Sequence, residues 1–90
     1  METLERLSLI YYDQAQYSPS AALCQRMLQH DSCREDAHCR LMRCYSRQGQ
    51  NHLALRQYQA CVEALRGELD VSPSPATVKL YEQIRRRETV

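Results

Sequence analysis

The spacing of apolar positions along the chain predicts five helices. In the first, Leu4, Leu7 and Tyr11 recur at i, i+3 and i+7 over about residues 3–14, which is the apolar stripe of an amphipathic helix. The same kind of periodicity predicts the other four helices at about residues 18–29, 33–48, 52–68 and 75–87. The two glycines and three prolines all lie at the ends of these segments or within two residues of them, which predicts an all-α chain.

The ends of the predicted helices carry capping signals. Ser18-Pro19 has the pattern of an N-cap followed by the first helical residue. The run Ser32–Glu35 matches the S-x-x-E capping box. Gly49 is expected just after the third helix in the left-handed conformation, and Ser74-Pro75 repeats the first pairing after an extended linker.

Much of the first half of the chain recurs 34 residues later. Tyr11 recurs at Tyr45 and Leu7 at Leu41. The same offset pairs Ala15 with Gly49, Ser20 with Ala54, Cys24 with Tyr58 and Met27 with Cys61. A period of about 34 residues is typical of tetratricopeptide helix hairpins. We therefore predict one tetratricopeptide-like domain over residues 1–90, with repeat one at about 4–31, repeat two at about 33–68, a linker at 70–74 and a capping helix at 75–87.

Periodicity also predicts which residues face inward. In the second helix these are Ala21 or Ala22, Cys24, Met27 and Leu28; in the third, Ala37, Leu41, Cys44 and Tyr45; in the fourth, Leu55, Tyr58, Val62 and Leu65; in the fifth, Val78, Tyr81 and Ile84, or Leu80 and Ile84. Two hairpins and one helix fall short of the roughly three repeats that a stable stack needs. Because the fifth helix covers only one end, we expect the first helix to be covered by a second copy or by a neighbouring domain.

Charge is unevenly distributed although the net charge is +1. Residues 1–36 hold six acids against three arginines, whereas residues 37–66 hold five arginines against one glutamate. This favours oriented packing between copies or with a partner, but it is not the strongly basic footprint of a nucleic-acid-binding domain. No apolar run is long enough for a membrane span and no export leader is visible, so we expect a cytoplasmic protein without membrane contact.

The chain has five cysteines, an odd number that cannot pair completely into disulfides, and no two of them form a C-x-x-C motif. We therefore expect reduced thiols packed in the core. A metal site drawn from His30, Cys33, His38 and Cys39 would not match a tetrahedral ligand spacing. No nucleotide-binding or hydrolase motif occurs. The sequence therefore predicts no metal, no cofactor and no enzymatic activity.

Several segments together resemble the bacterial transcriptional activator domain. They are Cys33–His38, Leu41–Tyr45, Ala54–Tyr58, Pro73–Thr77 and Leu80–Glu82, and the likeness extends over about residues 4–84. The resemblance implies a tetratricopeptide-like helical module that lies beside a winged-helix DNA-binding domain. It also implies a role in transcriptional regulation through self-association, contact with other regulatory domains or contact with the transcription machinery.

The chain departs from that family pattern in three respects. Ala15 stands where the family usually has glycine, and Asp31-Ser32 stands where it often has Asp-Pro. The third is that no winged-helix segment is visible, so we expect DNA contact only through a linked domain that is absent here. The chain would then be either an excised domain or a stand-alone version.

The candidate partner-binding residues lie on the first helix of each predicted hairpin, which in tetratricopeptide folds lines the concave face. They are Glu5, Leu9, Tyr12 and Asp13 from the first helix, and Cys39, Arg43, Ser46 and Arg47 from the third. Arg40, Arg43 and Arg47 also form a row at i, i+3 and i+7, predicted to lie opposite Leu41 and Cys44. Such a row is either a solvated face or a site for acidic residues, such as those of the first helix of another copy.

We therefore predict a protein-interaction and oligomerisation module of a bacterial transcriptional regulator. Its partners would be a second copy, in a homodimer, or neighbouring regulator domains. The alternative is a generic tetratricopeptide adaptor that binds a protein partner and has no link to transcription.

Overall fold

A computed structural model describes residues 2–90, and over this range the chain forms five α-helices and no strand. Their bounds are α1 Glu2–Asp13, α2 Tyr17–His30, α3 Glu35–Arg47, α4 Asn51–Leu69 and α5 Pro75–Arg85. The all-α prediction is confirmed.

The helices stack in chain order. Short connections make consecutive helices antiparallel neighbours, so α1 packs on α2, α2 on α3 and α3 on α4, and α5 contacts both α4 and α3. The result is a flat stack with extents of 35 × 32 × 18 Å. Two helix hairpins followed by a single terminal helix give the tetratricopeptide-like arrangement that the 34-residue period predicts.

Two groups of buried residues hold the stack together. One joins α2 to α3 through Ala21, Cys24, Leu41 and Cys44, and the other joins α3 and α4 to α5 through Met42, Ala54, Leu80 and Ile84. Of the two stripes considered for α5, Leu80 and Ile84 are the buried pair, whereas Val78 is 38% exposed.

The buried side of α1 differs from the prediction. Ser8 is fully buried, whereas Leu7 is 39% exposed and Leu4 and Tyr11 are half-buried. The prediction that Leu7 lies in the core is wrong because α2 approaches α1 at Ser8, where the Ser20 hydroxyl donates to the Ser8 carbonyl at 2.8 Å. Small side chains allow this close approach, and no helix covers the side of α1 that carries Leu7 within residues 2–90.

The core stripe of α4 is also displaced from the prediction. Ala54, Cys61 and Leu65 are buried, whereas Leu55, Tyr58 and Val62 are half-buried. Only Leu65 belongs to both the expected and the observed stripe. Ala54 and Cys61 are the counterparts, 34 residues on, of the buried Ser20 and Met27, so the repeat indicates the buried positions of α4 better than residue size does.

Two of the predicted caps are wrong. The N-cap of α2 is Gln16, so Ser18-Pro19 lies within the first turn, where the missing proline N–H removes no intrahelical bond. The N-cap of α3 is Arg34 rather than Ser32, and it makes no side-chain cap. Glu35 does not close a capping box because its carboxylate bonds to Ser74 and Thr77 instead.

The other two caps are confirmed. Gly49 follows α3 with φ of 75°, and the Ser74 side chain accepts from the Thr77 N–H at the start of α5. Ala15, the counterpart of Gly49 after α1, also has a left-handed backbone, with φ of 59°. The two hairpin turns therefore have the same backbone shape although only one contains glycine.

Candidate interaction groove

The first helix of each hairpin and the terminal helix α5 line one continuous surface. A hollow of about 330 Å³ lies between α1 and α3, and another of about 390 Å³ lies between α3 and α5. Asp36, Cys39 and Arg43 line both hollows, so the two are parts of one groove. We call it the three-helix groove; its walls are Leu9, Tyr12 and Asp13 on α1, Asp36, Cys39 and Arg43 on α3, and Thr77 and Leu80 on α5.

The repeat explains why α1 and α3 contribute side by side. Leu9 and Arg43 are 34 residues apart, so they occupy equivalent positions on equivalent helices. Leu9 is 41% exposed and Arg43 is exposed. The groove thus has an apolar wall on α1 and a cation in its middle. Tyr12 stands at the same wall and packs edge-on against Tyr17, with ring centroids 5.5 Å apart.

Arg43 and Asp13 are the two charged residues of the groove that have neither an ion pair nor a side-chain hydrogen bond within residues 2–90, whereas Arg40 donates to Ser8 and Glu35 accepts from Ser74 and Thr77. Within residues 2–90, neither has an oppositely charged group within 4.0 Å. Arg43 presents a guanidinium with five N–H donors, and Asp13 lines the same hollow with a carboxylate. Both can therefore bind a group on another molecule without breaking an existing contact.

The remaining acids near the groove are already occupied. The Arg34 guanidinium donates to both carboxylate oxygens of Asp36, from Nε at 2.9 Å and from a terminal nitrogen at 2.7 Å. It also lies 3.3 Å from Glu5. Hydrogen bonding from Arg34 lowers the pKa of Asp36 to about 2, and the same bond raises the pKa of Arg34. Glu5 therefore ties α1 to the start of α3 instead of projecting as a free acid.

The predicted arginine row does not exist as a single surface. Arg40 is half-buried and donates to the Ser8 hydroxyl at 3.0 Å, while Arg47 donates from Nε to the Val90 carbonyl at 2.7 Å. The expectation that the row lies opposite the core is wrong, because four residues at 3.6 per turn place Arg40 only about 40° from Cys44 around the helix. Of the three arginines, Arg43 alone is left without a protein partner inside residues 2–90.

The candidate residues are therefore divided among three places. Leu9, Tyr12, Asp13, Cys39, Arg40 and Arg43 line one hollow. Glu5 faces Arg34 at the edge of the groove. Ser46 and Arg47 line a separate hollow with Asn51 and the residues 87–90.

Sequence reasoning missed the contribution of α5 to the groove. Thr77 and Leu80 line its second hollow, whereas the sequence predicts only a capping role for α5. The signal was present, because a helix that follows two complete hairpins occupies the place of the first helix of a third, and first helices line this face.

Buried titratable groups close to the groove are engaged inside the protein. His38 Nε2 lies 2.8 Å from the Ser32 carbonyl, so it carries the proton and donates, and Nδ1 accepts from the Gln57 amide at 2.8 Å. Burial lowers the pKa of His38. Burial also raises the pKa of Cys39, whose Sγ lies 3.1 Å from the Thr77 hydroxyl.

The structure between residues 2 and 90 holds no group of three or more His, Cys, Asp or Glu side chains placed to bind a metal ion. Over the same range, every helix is too short or too polar to cross a bilayer.

Comparison with protein families gives a match over most of the chain. The family model described as the bacterial transcriptional activator domain matches residues 1–85, which is nearly the whole chain. No curated protein and no solved structure gives a significant match.

Proposed function

Since the chain belongs to the bacterial transcriptional activator domain family, we propose that it is the protein-interaction module of a bacterial transcriptional regulator and that it forms a homodimer through the three-helix groove. A DNA-binding domain linked to each copy would then meet its site as a pair. The second contact forms at high effective concentration, so affinity rises without new base contacts. The family favours this reading over a generic adaptor unrelated to transcription.

The observation that carries the proposal is that the same hollow contains an unpaired carboxylate, that of Asp13, and an unpaired guanidinium, that of Arg43. A symmetric dimer uses the same patch on both copies, so a residue pair that forms once forms twice. If two grooves face each other across a twofold axis, Asp13 of each copy meets Arg43 of the other. Both pairs form without disturbing an internal salt bridge, since Asp36 and Glu5 are held by Arg34.

The size and polarity of the surface fit this use. A standard interface buries about 800 Å² per partner, and the broad face of the domain measures 35 × 32 Å. Leu9 and Tyr12 on α1 supply apolar area around the two charges. Arginine and tyrosine are also the residue types enriched in the parts of an interface that contribute most to binding.

A charge exchange tests the reciprocal pairing. Asp13→Arg and Arg43→Asp each replace two attractions by two repulsions. At about 0.5–1 kcal/mol for each pair or repulsion, each variant should weaken the dimer by about 2–4 kcal/mol, or roughly 30- to 1,000-fold in Kd. The double variant restores two attractive pairs with reversed sign, so it should recover most of the dimer. Light scattering over a concentration series, at low and high salt, measures this, and salt should weaken the wild-type dimer.

Arg56→Asp is the matched control for Arg43→Asp. Arg56 is exposed on α4, outside the groove, and the substitution changes the net charge by the same amount. Dissociation in Arg56→Asp as strong as in Arg43→Asp would show that net charge, not pairing, decides assembly. A double variant that stays monomeric while remaining folded would refute the reciprocal contact, and a wild-type monomer at every concentration would refute the homodimer.

A further inference from the structure

A strip of exposed side chains, two of them apolar, lies on a different side of α1 from the groove. Thr3, Leu7 and Ile10 follow one another at i, i+4 and i+7, and Leu7 and Ile10 are 39% and 45% exposed. Together with Glu2 and Arg6 they line a hollow of about 340 Å³. We call these three residues the outer strip. A helix that carries leucine and isoleucine on an uncovered side departs from the usual single apolar face of a surface helix.

The outer strip has a buried counterpart in α3. Moving each of its positions by the 34-residue repeat gives Ala37, Leu41 and Cys44. Their exposed fractions are 0%, 1% and 0%. Leu41 and Cys44 are covered by α2, whose Ala21 and Cys24 belong to the same buried cluster. The residues that are exposed on α1 are therefore covered on α3, and the covering element is the preceding helix.

The same relationship recurs at the other end of the stack. Leu80 and Ile84 of α5 are 2% and 0% exposed and belong to one cluster with Ala54 of α4. In both cases, the second helix of a hairpin covers the apolar side of the next first helix. Only α1, among the three first helices, lacks such a neighbour within residues 2–90.

We propose that the outer strip is a docking site for an amphipathic helix of another protein domain, seated on α1 as α2 is seated on α3. The partner helix would present small or medium apolar residues at i, i+3 and i+7, the spacing of Ala21, Cys24 and Leu28 on α2. Small residues at the first two positions allow the two helix backbones to approach closely. The strip and the partner helix then complete the repeat on the N-terminal side.

A second copy of the chain fits this strip poorly. A 12-residue helix is about 18 Å long, so one of its sides offers far less than the roughly 800 Å² that each partner of a stable dimer buries. A symmetric pair of α1 helices centred on Leu7 would also bring the two copies of Arg6 together. The proposal does not depend on the dimer through the three-helix groove, which uses Asp13 and Arg43 on other sides of the helices.

An extended chain tests the proposal with α2 itself as the probe. Glu35 follows Arg34 in α3, and Met1 is the counterpart of Glu35, so a second copy of residues 16–34 placed directly before Met1 keeps the repeat in register. We expect the midpoint of thermal unfolding to rise by about 5 °C or more, as one further buried helix contact implies. Amide hydrogen exchange should slow both in α1 and in the added helix.

Two variants of the extended chain make the result specific. Leu7→Asp in the receiving strip, or Cys24→Asp in the added copy alone, should abolish the rise and leave the added helix unprotected. Leu7→Asp in the unextended chain should have little effect on its midpoint, because Leu7 is already partly in water. No rise in the extended chain, or an equal rise with Leu7→Asp, would overturn the proposal.

The mass of the unextended chain distinguishes the other possible occupant. If Leu7→Asp lowers that mass in light scattering, the strip pairs with a second copy and the assignment to a partner helix is wrong. If Arg43→Asp lowers it and Leu7→Asp does not, the groove and the strip act separately. Failure of either proposal is thus visible without reference to the other.

Discussion

Glu35 should stabilise the fold by holding α5 against α3. Its carboxylate accepts the Ser74 N–H at 2.7 Å and also accepts from the Thr77 hydroxyl. Thr77 is 1% exposed, so this contact lies under the first turn of α5. One side chain of α3 therefore fixes both the end of the linker and the start of the terminal helix, 39 and 42 residues further along the chain.

The expected cost of Glu35→Ala follows from these two bonds. A hydrogen bond to a charged group contributes about 1.5–3 kcal/mol. The Ser74 N–H is exposed enough to bind water after the substitution, and the Thr77 hydroxyl keeps a contact with the Ser74 hydroxyl at 3.2 Å. We therefore expect a net loss of about 2–3 kcal/mol, less than the sum of the two bonds. For a domain of this size that lowers the midpoint of thermal unfolding by roughly 10–20 °C.

Thermal and urea unfolding followed by circular dichroism measure this loss. Glu35→Gln keeps the shape but removes the charge, so its loss should be smaller than that of Glu35→Ala. Glu63→Ala is the control, since Glu63 is exposed on α4 and should change stability by less than about 0.5 kcal/mol. A loss in Glu35→Ala no larger than that of the control would refute the reasoning.

The pH dependence gives an independent check on Glu35. Burial raises its pKa, but the hydrogen bonds from Thr77 and Ser74 outweigh burial, so the pKa lies below the ordinary 4.5. A group with a lowered pKa binds fewer protons in the folded state, and its stabilisation is present above pH 4.5 and is lost as the pH falls through the folded pKa. Glu35→Gln should flatten the acid limb of the stability curve in this window.

Three further predictions concern other parts of the fold. Burial lowers the pKa of His38 below 6.5, so the unfolded chain binds a proton that the folded chain excludes. The urea midpoint should therefore fall as the pH drops below about 6.5. This fall should be smaller in His38→Gln. Ala15→Gly should stabilise by about 0.5–1 kcal/mol in urea unfolding because Ala15 has a left-handed backbone, whereas Gly49→Ala should destabilise. Burial raises the pKa of Cys24 to about 11 and of Cys61 to about 12, so a thiol reagent at pH 8 should modify them only as fast as the domain unfolds.

The helices and their order could be predicted because each depends on short-range periodicity. The Ser74 and Gly49 caps were also predictable, since the local residues favour the start of α5 after Ser74 and the end of α3 before Gly49. The Ser18 cap was not, because the Ala15 backbone and the bond from the Gln16 N–H to the Tyr11 carbonyl, 2.8 Å long, start α2 two residues before it. The backbone of the hairpin turn, and not the capping preference of Ser18, therefore determines where α2 begins.

The candidate groove could be predicted only in part. The 34-residue offset gives Leu9 and Arg43 equivalent positions in the two hairpins. It could not show which charges would be free, because pairing depends on residues brought together by the fold. Glu5 and Arg34 are far apart in the sequence yet lie 3.3 Å apart. Arg40 donates to Ser8, and the apolar stripe predicted for α1 does not include Ser8, so this contact could not be predicted.

The two ends of the stack are not equivalent, and α1 links the two proposed surfaces. The exposed residues of α5 include the cations Lys79 and Arg85, as suits a terminal cap, whereas those of α1 include Leu7 and Ile10. Leu9 of the groove lies on the same helix, only two residues further on. A helix docked on the outer strip would order α1 before the groove is used, which reduces the entropy lost when a partner binds there. The extended chain should therefore dimerise more tightly than the unextended chain, and Leu7→Asp should remove that difference.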